Sequence, residues 1–411
     1  MKYGLIGERL GHSFSKTIHG RLADYEYELC EIAPCDLDEF MSKRDFLGIN
    51  VTIPYKSAVI PYLDEVEPAA LKIGAVNTIV NSGGRLIGYN TDFYGMQQLI
   101  SHAGVDVCGK KVAILGSGAT SRTAQAVLDS LGAGEIVKVG RKVGEGIIDY
   151  NMLTAEHSDI DVIVNTTPVG MFPEIDGSPV NIDCFKQLIG VIDVVYNPIN
   201  TELILDARSR GNAAEGGLYM LVGQAVRACE IFLGKEMPDG TLDRTYSEIL
   251  SEKESIVLIG MPGSGKSTVG EILAKRLGRR LVDTDELIVE RIGMSIKDFF
   301  ALKGEVEFRR IEQEVVGSIA DEGSLVISTG GGVVLCEENN KNLRRNGRIF
   351  FIDRPLEAIM PTESRPLSSD RSALEKRYLE RYPIYCSVCD TRIDASCDAE
   401  AVANKILESF L

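Results

Sequence analysis

Short apolar runs broken by glycine turns set the pattern of this chain. YGLIG (3–7), LGINVTI (47–53), KVAILG (111–116), DVIVNTTP (161–168) and LIGVIDVVYNP (188–198) are rich in valine and isoleucine, with helix-like stretches between them. Continuous β-branched runs, rather than strictly alternating ones, predict strands buried on both faces in mostly parallel sheets. Residues 216–233 read as a long helix, and 241–253 turn polar and charged without a strand signal, the pattern of a linker. SIVLIG (255–260) then opens a second α/β unit. Two strand–glycine-loop–helix openings with different loop chemistry therefore sit in one chain.

Length fits this division, since 411 residues exceed one domain of roughly 100–200 residues. The formal charge of -16 disfavours a nucleic-acid partner, whose phosphates need a basic surface. No segment approaches the roughly 18 apolar residues of a membrane span, and the start lacks a signal-peptide pattern. No membrane partner and a cytoplasmic place are expected. Nine cysteines, odd in number and scattered, do not form a disulfide framework. Cys386 and Cys389 read as ordinary reduced thiols, because no second pair or histidine stands near to complete a zinc set.

GMPGSGKST (260–268) is the strongest motif, a G-x-x-x-x-G-K-[ST] loop between a strand and a helix. Its glycines let the backbone N–H groups of Gly263, Ser264, Gly265, Lys266, Ser267 and Thr268 turn toward phosphate. Lys266 meets the β- and γ-phosphates, and Ser267 can ligate Mg²⁺. In LVDTDELI, Asp283 is placed for the magnesium shell and Asp285 for an acceptor hydroxyl, although acids at a strand end are also common helix caps. STGGG supplies Gly330, Gly331 and Gly332, which lets a backbone approach something closely. Arg309, Arg310, Arg365 and Arg381 are candidate clamps for phosphate or carboxylate, each also readable as a solvated arginine.

Residues from about 255 to 411 resemble shikimate kinase, through GMPGSGKST, DTDELI, ALKGEVEFRRIE, STGGG, RPL and ERYPIY in that order. The resemblance implies transfer of the ATP γ-phosphate to the 3-hydroxyl of shikimate. Asp285 would bond the acceptor hydroxyl, and Arg309, Arg381 and Gly330–Gly332 would grip carboxylate and ring, with Glu312 supporting Arg309. Arg365 would close over the phosphates and Arg392 would pack on adenine. The stretch EAIMPTESRPLSS looks shortened beside the family pattern, with Met360 and Pro361 where an extra arginine is usual.

The first 240 residues offer Lys56 in NVTIPYK and Asp92 in GYNTDFYG. Such a pair is often a surface ion pair, but in a cleft it can donate a proton to a carbonyl under reduction. KVAILG runs into GSGATSR, a G-x-G turn lacking its third glycine, with Ala119 and Ser121 in the helix that follows. The next strand ends in GRK, so Arg141 and Lys142 stand where an acid would hold a ribose hydroxyl, a choice favouring the 2′-phosphate of NADP.

Residues 1 to about 240 resemble shikimate dehydrogenase, through GHSFSKTIH, NVTIPYK, GAVNTI, GYNTD, GSGATSR, NTTPVGM, DVVYNPINTEL and GLYMLVGQA. The resemblance implies that Ser13, Ser15 and Tyr196 bind the substrate carboxylate. Thr52, Asn77, Asp92 and Gln224 would bind ring hydroxyls, with Lys56 the principal catalytic group. Gly116, Gly118, Ala119, Arg122 and Arg141 would hold the NADP(H) phosphates, and Asn165, Thr166 and Thr167 would line the nicotinamide side. It also implies a substrate domain of residues 1–100 completed by 214–240, a Rossmann-like domain of 101–213, a linker of 241–253 and a kinase domain of 254–411. Lys16 stands where proline is usual, and GSGATS replaces the commoner GAGG form.

The expected activity is bifunctional: 3-dehydroshikimate to shikimate with NADPH, then shikimate to shikimate 3-phosphate with ATP and Mg²⁺. A dehydrogenase fused to an impaired kinase-like sensor, and an oxidative quinate/shikimate dehydrogenase, are the alternatives from the sequence.

Overall fold

The apolar runs become three β-sheets, two within residues 1–249 and one within 250–411, the two units into which the chain divides. The computed structural model describes residues 2–11, 14–144, 146–359 and 371–411. Ser13 and Arg365 lie outside the described residues.

The first sheet contains β1 (Tyr3–Gly7), β2 (Tyr27–Glu31), β3 (Gly48–Val51), β4 (Glu65–Val66), β5 (Thr78–Ser82) and β6 (Arg85–Tyr89), in the order β2-β1-β3-β5-β6-β4. It is mixed: β5 runs antiparallel to both β3 and β6. The reason is local. Gly83 and Gly84, with φ of 61° and 93°, form the tight turn that folds β6 back on β5.

The second sheet contains β7 (Lys111–Leu115), β8 (Glu135–Val139), β9 (Ile147–Ile148), β10 (Val162–Asn165), β11 (Gly190–Asp193) and β12 (Ala213–Glu215). All its pairings are parallel, and the order β9-β8-β7-β10-β11-β12 is the Rossmann-type 3-2-1-4-5-6 arrangement. Ala113, Leu115 and Ile163 pack on one face, while Val112, Ile114 and Val164 pack on the other. That double burial is why these strands read as unbroken apolar runs. The chain reverses direction across the sheet between β7 and β10, where a crevice forms at the carboxyl ends of the strands.

The third sheet joins β13 (Ser255–Ile259), β14 (Arg280–Asp283), β15 (Leu325–Ser328), β16 (Gly347–Asp353) and β17 (Thr391–Asp394), in the order β14-β15-β13-β16-β17, all parallel. Val257, Ile259, Ile349 and Phe351 face one core, and Ile256, Leu258, Phe350 and Ile352 face the other. Strand alternation alone accounts for this sorting.

The helix Leu218–Leu233 returns to pack against the helix Thr91–His102, whose Gly95 leaves room for the Met220 carbonyl. The stretch 241–253, read from its polarity as a linker, is a helix (Thr241–Lys253). Thr241, Thr245 and Ile249, spaced four apart, form its narrow buried stripe. Tyr219 donates to Asp243, and Arg21 pairs with Glu248 at 3.0 Å. A buried face this narrow barely changes composition, so polarity alone could not separate helix from linker. No helix among the described residues is long and apolar enough to cross a membrane.

Candidate active sites

The first site is a cavity of about 520 Å³ in the N-terminal unit, a size suited to a small metabolite beside a cofactor ring. Its wall gathers Ser15, Thr52, Lys56, Asn77, Asp92, Tyr196 and Gln224, all expected from the sequence, from six separate stretches of chain. Lys56 Nζ donates to Asp92 Oδ2 at 2.6 Å, and both side chains are largely buried.

Local structure fixes this pair. The Lys56 carbonyl accepts the Val76 N–H, tying the loop after β3 to β5's approach. Asp92 lies in the first turn of its helix, where the positive end of the helix dipole favours a carboxylate. Asn90 caps that helix through the Phe93 N–H, and its amide donates to the Ala75 carbonyl. Asn77 Oδ1 accepts from the Thr91 N–H at 2.7 Å, so Asn77 both lines the cavity and sets the start of the helix bearing Asp92.

Among the wall residues given no role by the sequence, Arg9 and Phe172 lie outside the motifs, while Asn50, Thr120 and Met171 lie inside NVTIPYK, GSGATSR and NTTPVGM. Asn50 is held by the Tyr27 hydroxyl at 2.7 Å and donates to Thr78 Oγ1 at 3.0 Å. A polar residue set between Ile49 and Val51 in an otherwise apolar strand was the available clue.

The expected cofactor residues separate into two groups. Gly116 and Gly118 form the turn after β7, and Ala119 begins the helix Ala119–Ser130. Arg141 and Lys142 are exposed just beyond β8. Arg122 is partly committed, its Nε donating to the Ile73 carbonyl at 2.9 Å. Asn165 departs from expectation because its side chain is fully buried rather than facing the cleft. Its amide donates to Asp193 at 2.9 Å, and its Oδ1 accepts from the N–H and hydroxyl of Thr167. Thr166 Oγ1 likewise donates to the Leu115 carbonyl at 2.6 Å. These side chains shape the turn after β10. Burial pushes the Asp193 carboxyl up to about 7, against the pull of donors from Val195, Thr201 and Asn165.

The second site is a cavity of about 490 Å³ in the C-terminal unit, walled by Gly263, Gly265, Lys266, Ser267, Thr268, Asp283, Asp285 and Gly331 among others. Lys266 is buried and its Nζ donates to the Gly260 and Met261 carbonyls, both at 3.0 Å. The Ser264 side chain is buried behind the loop beside Gly260, and its backbone N–H, the group expected to face phosphate, donates to the Met261 carbonyl at 3.1 Å. Ser267 Oγ donates to Asp283 Oδ2 at 3.0 Å, while Asp283 Oδ1 caps the next helix through the Asp285 N–H. Helix cap and site residue are thus one side chain.

The three glycines have steric reasons. A Cβ on Gly330 would fall 2.5 Å from Asp285 Oδ1, and one on Gly332 would fall 2.4 Å from the Arg309 nitrogens. The Gly331 carbonyl accepts from Arg381 at 2.9 Å and from the Tyr385 hydroxyl. Arg309 pairs at 2.7 Å with Glu312, whose carboxyl is pushed up by burial and held back by that arginine. The fold therefore brings Asp285, Arg309, Arg381 and Gly330–Gly332 together. Arg392 lies apart from the cavity wall, paired with Asp353 at 2.6 Å and placed over the Tyr382 ring.

No group of three or more His, Cys, Asp or Glu side chains is placed to hold a metal among the described residues. Mg²⁺ at a phosphate site does not need one, because it keeps several waters and takes phosphate oxygens. The Ser267 hydroxyl and Asp283 carboxylate, already in contact, are the hard oxygen donors such an ion uses.

Residues 5–79 match the family model described as shikimate dehydrogenase substrate binding domain. The shikimate dehydrogenase (NADP(+)) of Clostridium beijerinckii is 35% identical over 260 residues, covering 60% of this chain and 96% of that protein. The chain belongs to the shikimate dehydrogenase family. Residues 262–411 match the family model described as shikimate kinase, so a domain of that family follows in the same polypeptide. The crystal structure of shikimate dehydrogenase 1 from Peptoclostridium difficile superposes on the dehydrogenase part with a TM-score of 0.56 at 36% identity, covering 61% of this chain and 98% of its own. A Thermus thermophilus shikimate 5-dehydrogenase in complex with NADP(H) and shikimate gives a TM-score of 0.55 at 25% identity, covering 60% and 99%.

Proposed function

We propose that the N-terminal unit reduces 3-dehydroshikimate to shikimate with NADPH and that the C-terminal unit phosphorylates shikimate with ATP. The observation that carries the first half is the Lys56–Asp92 pair, 2.6 Å apart inside a cavity walled by hydroxyl and amide side chains. A ketone being reduced needs a proton at oxygen as hydride reaches carbon. Lys56 Nζ donates that proton, and Asp92 holds the ammonium in place and accepts from a ring hydroxyl. Thr52, Asn77 and Gln224 orient the remaining hydroxyls, and Ser15 with Tyr196 faces the carboxylate. NADPH, when bound, supplies the hydride. The turns after β7 and β10 would receive it, with Arg141 beside the 2′-phosphate.

In the C-terminal unit, Asp285 orients the acceptor hydroxyl, and Arg309 and Arg381 hold the acceptor carboxylate. Lys266 leaves its two carbonyls to meet the transferred phosphoryl group. Ser267 and Asp283 would hold Mg²⁺, which spreads the phosphate charge when bound.

Two separate assays test this reading. NADPH oxidation should require 3-dehydroshikimate, and ADP formation should require shikimate. The first half falls if 3-dehydroshikimate is inert, and the second falls if ATP turnover ignores shikimate.

A further inference from the structure

Arg354 follows directly on β16, and its Nη1 lies 3.8 Å from where a Cβ on Gly265 would stand. Gly265 is the last glycine of the phosphate loop, with φ of 98°, and it caps the helix Lys266–Leu277. The Nε of Arg354 is buried and has no hydrogen-bond partner among the described residues. A guanidinium keeps its charge at any working pH, and its Nη1, the atom nearest Gly265, is the donor that an anion on the loop would meet. The adjacent carboxylate does not provide that anion, because Asp353 is engaged by Arg392 and by the Tyr382 hydroxyl. The ten residues that follow, 355–364, contain no lysine or arginine.

From these placements we infer that Arg354 is a further nucleotide-binding residue, giving its guanidinium to a phosphate oxygen of a nucleoside di- or triphosphate over Gly265. The inference rests on reading the C-terminal unit as nucleotide-binding, and it adds a residue that no loop motif identifies. The end of a strand buried between two packed layers is a rigid mount. Arg354 therefore brings positive charge to the loop from a fixed position. Lys266, whose flexible stem now points to backbone carbonyls, brings the second cation. The acceptor-side group of Asp285, Arg309 and Arg381 comes from other elements, so Arg354 should not affect acceptor binding.

The test is titration of ADP, and separately of shikimate, into the full chain and its Arg354→Met and Arg354→Lys variants, each carrying Thr52→Val and Gln224→Ala so that shikimate reports on the C-terminal unit alone. Arg354→Met keeps the stem and should weaken ADP binding about 10–100-fold, the scale of one or two charge-assisted hydrogen bonds. Arg354→Lys keeps charge but loses the fork and should fall between. Shikimate affinity should stay within about twofold, showing an intact unit. Equal ADP affinity in parent and Arg354→Met, with shikimate binding preserved, overturns the assignment. Should Arg354→Met fail to fold, parent-like ADP affinity in Arg354→Lys overturns it instead. A parent chain that binds shikimate but no ADP would sink the nucleotide reading and this inference together.

Discussion

Gly332→Ala should cut shikimate phosphorylation sharply while leaving the dehydrogenase reaction of the same molecule untouched. The backbone at Gly332, φ -105° and ψ -4°, suits alanine, so no conformational strain enters. The methyl group would fall 2.4 Å from both terminal nitrogens of Arg309 and 2.7 Å from its Cζ. Ordinary contact begins near 3.5 Å, so the guanidinium must retreat by about 1 Å. It cannot do so freely, because its partner Glu312 is 1% exposed and pairs with it at 2.7 Å. A misplacement of about 1 Å in a substrate-orienting group costs about 100-fold, or roughly 2.7 kcal/mol of transition-state stabilisation. ADP release at saturating ATP, with shikimate varied, reads the effect, and NADPH oxidation by 3-dehydroshikimate in the same sample is the control. An unchanged kcat/KM for shikimate in Gly332→Ala would refute the placement of Arg309 at the acceptor.

Three other outcomes follow from named contacts. Lys56→Met should slow NADPH oxidation about 100- to 10,000-fold, the range of a positioned proton donor, with ATP turnover unchanged; a loss below tenfold would remove Lys56 from that role. Arg141→Ala should raise the KM for NADPH about 10–100-fold and leave that for NADH alone; parallel shifts for both cofactors would contradict 2′-phosphate contact. Burial holds the His19 imidazole down to about 3, so the unfolded chain takes a proton near 6.5 that the folded chain refuses. Stability from this site is therefore complete above pH 6.5 and lost as pH falls toward 3, at about 1.4 kcal/mol per pH unit. His19→Phe should remove that slope in urea unfolding followed by dehydrogenase activity between pH 7 and 4; a slope equal to the parent's would show that His19 is not the titrating group.

Legibility in the sequence tracked how local the physics is. The phosphate loop was readable because its motif is a run of consecutive residues between a strand and a helix. Lys56 and Asp92 lie 36 positions apart, so their 2.6 Å contact rested on motif resemblance until the fold brought them together. Asn165 misled because its partner, Asp193, stands one strand away in the sheet, and burial there turned a cleft residue into a clamp. Arg354 was silent for the same reason: its proximity to Gly265 exists only after β16 packs beside β13. The mixed first sheet was hidden in a glycine pair that reads as any turn, and the helix Thr241–Lys253 in a stripe of three small or apolar residues.

The most direct measurement mixes purified chain with 3-dehydroshikimate, NADPH, ATP and Mg²⁺ and follows products by mass. Shikimate 3-phosphate should form with the parent, stall at 3-dehydroshikimate in Lys56→Met and stall at shikimate in Lys266→Ala. Shikimate accumulating with the parent would contradict the assignment of kinase chemistry to the C-terminal unit, and untouched 3-dehydroshikimate would contradict the assignment of the N-terminal cavity.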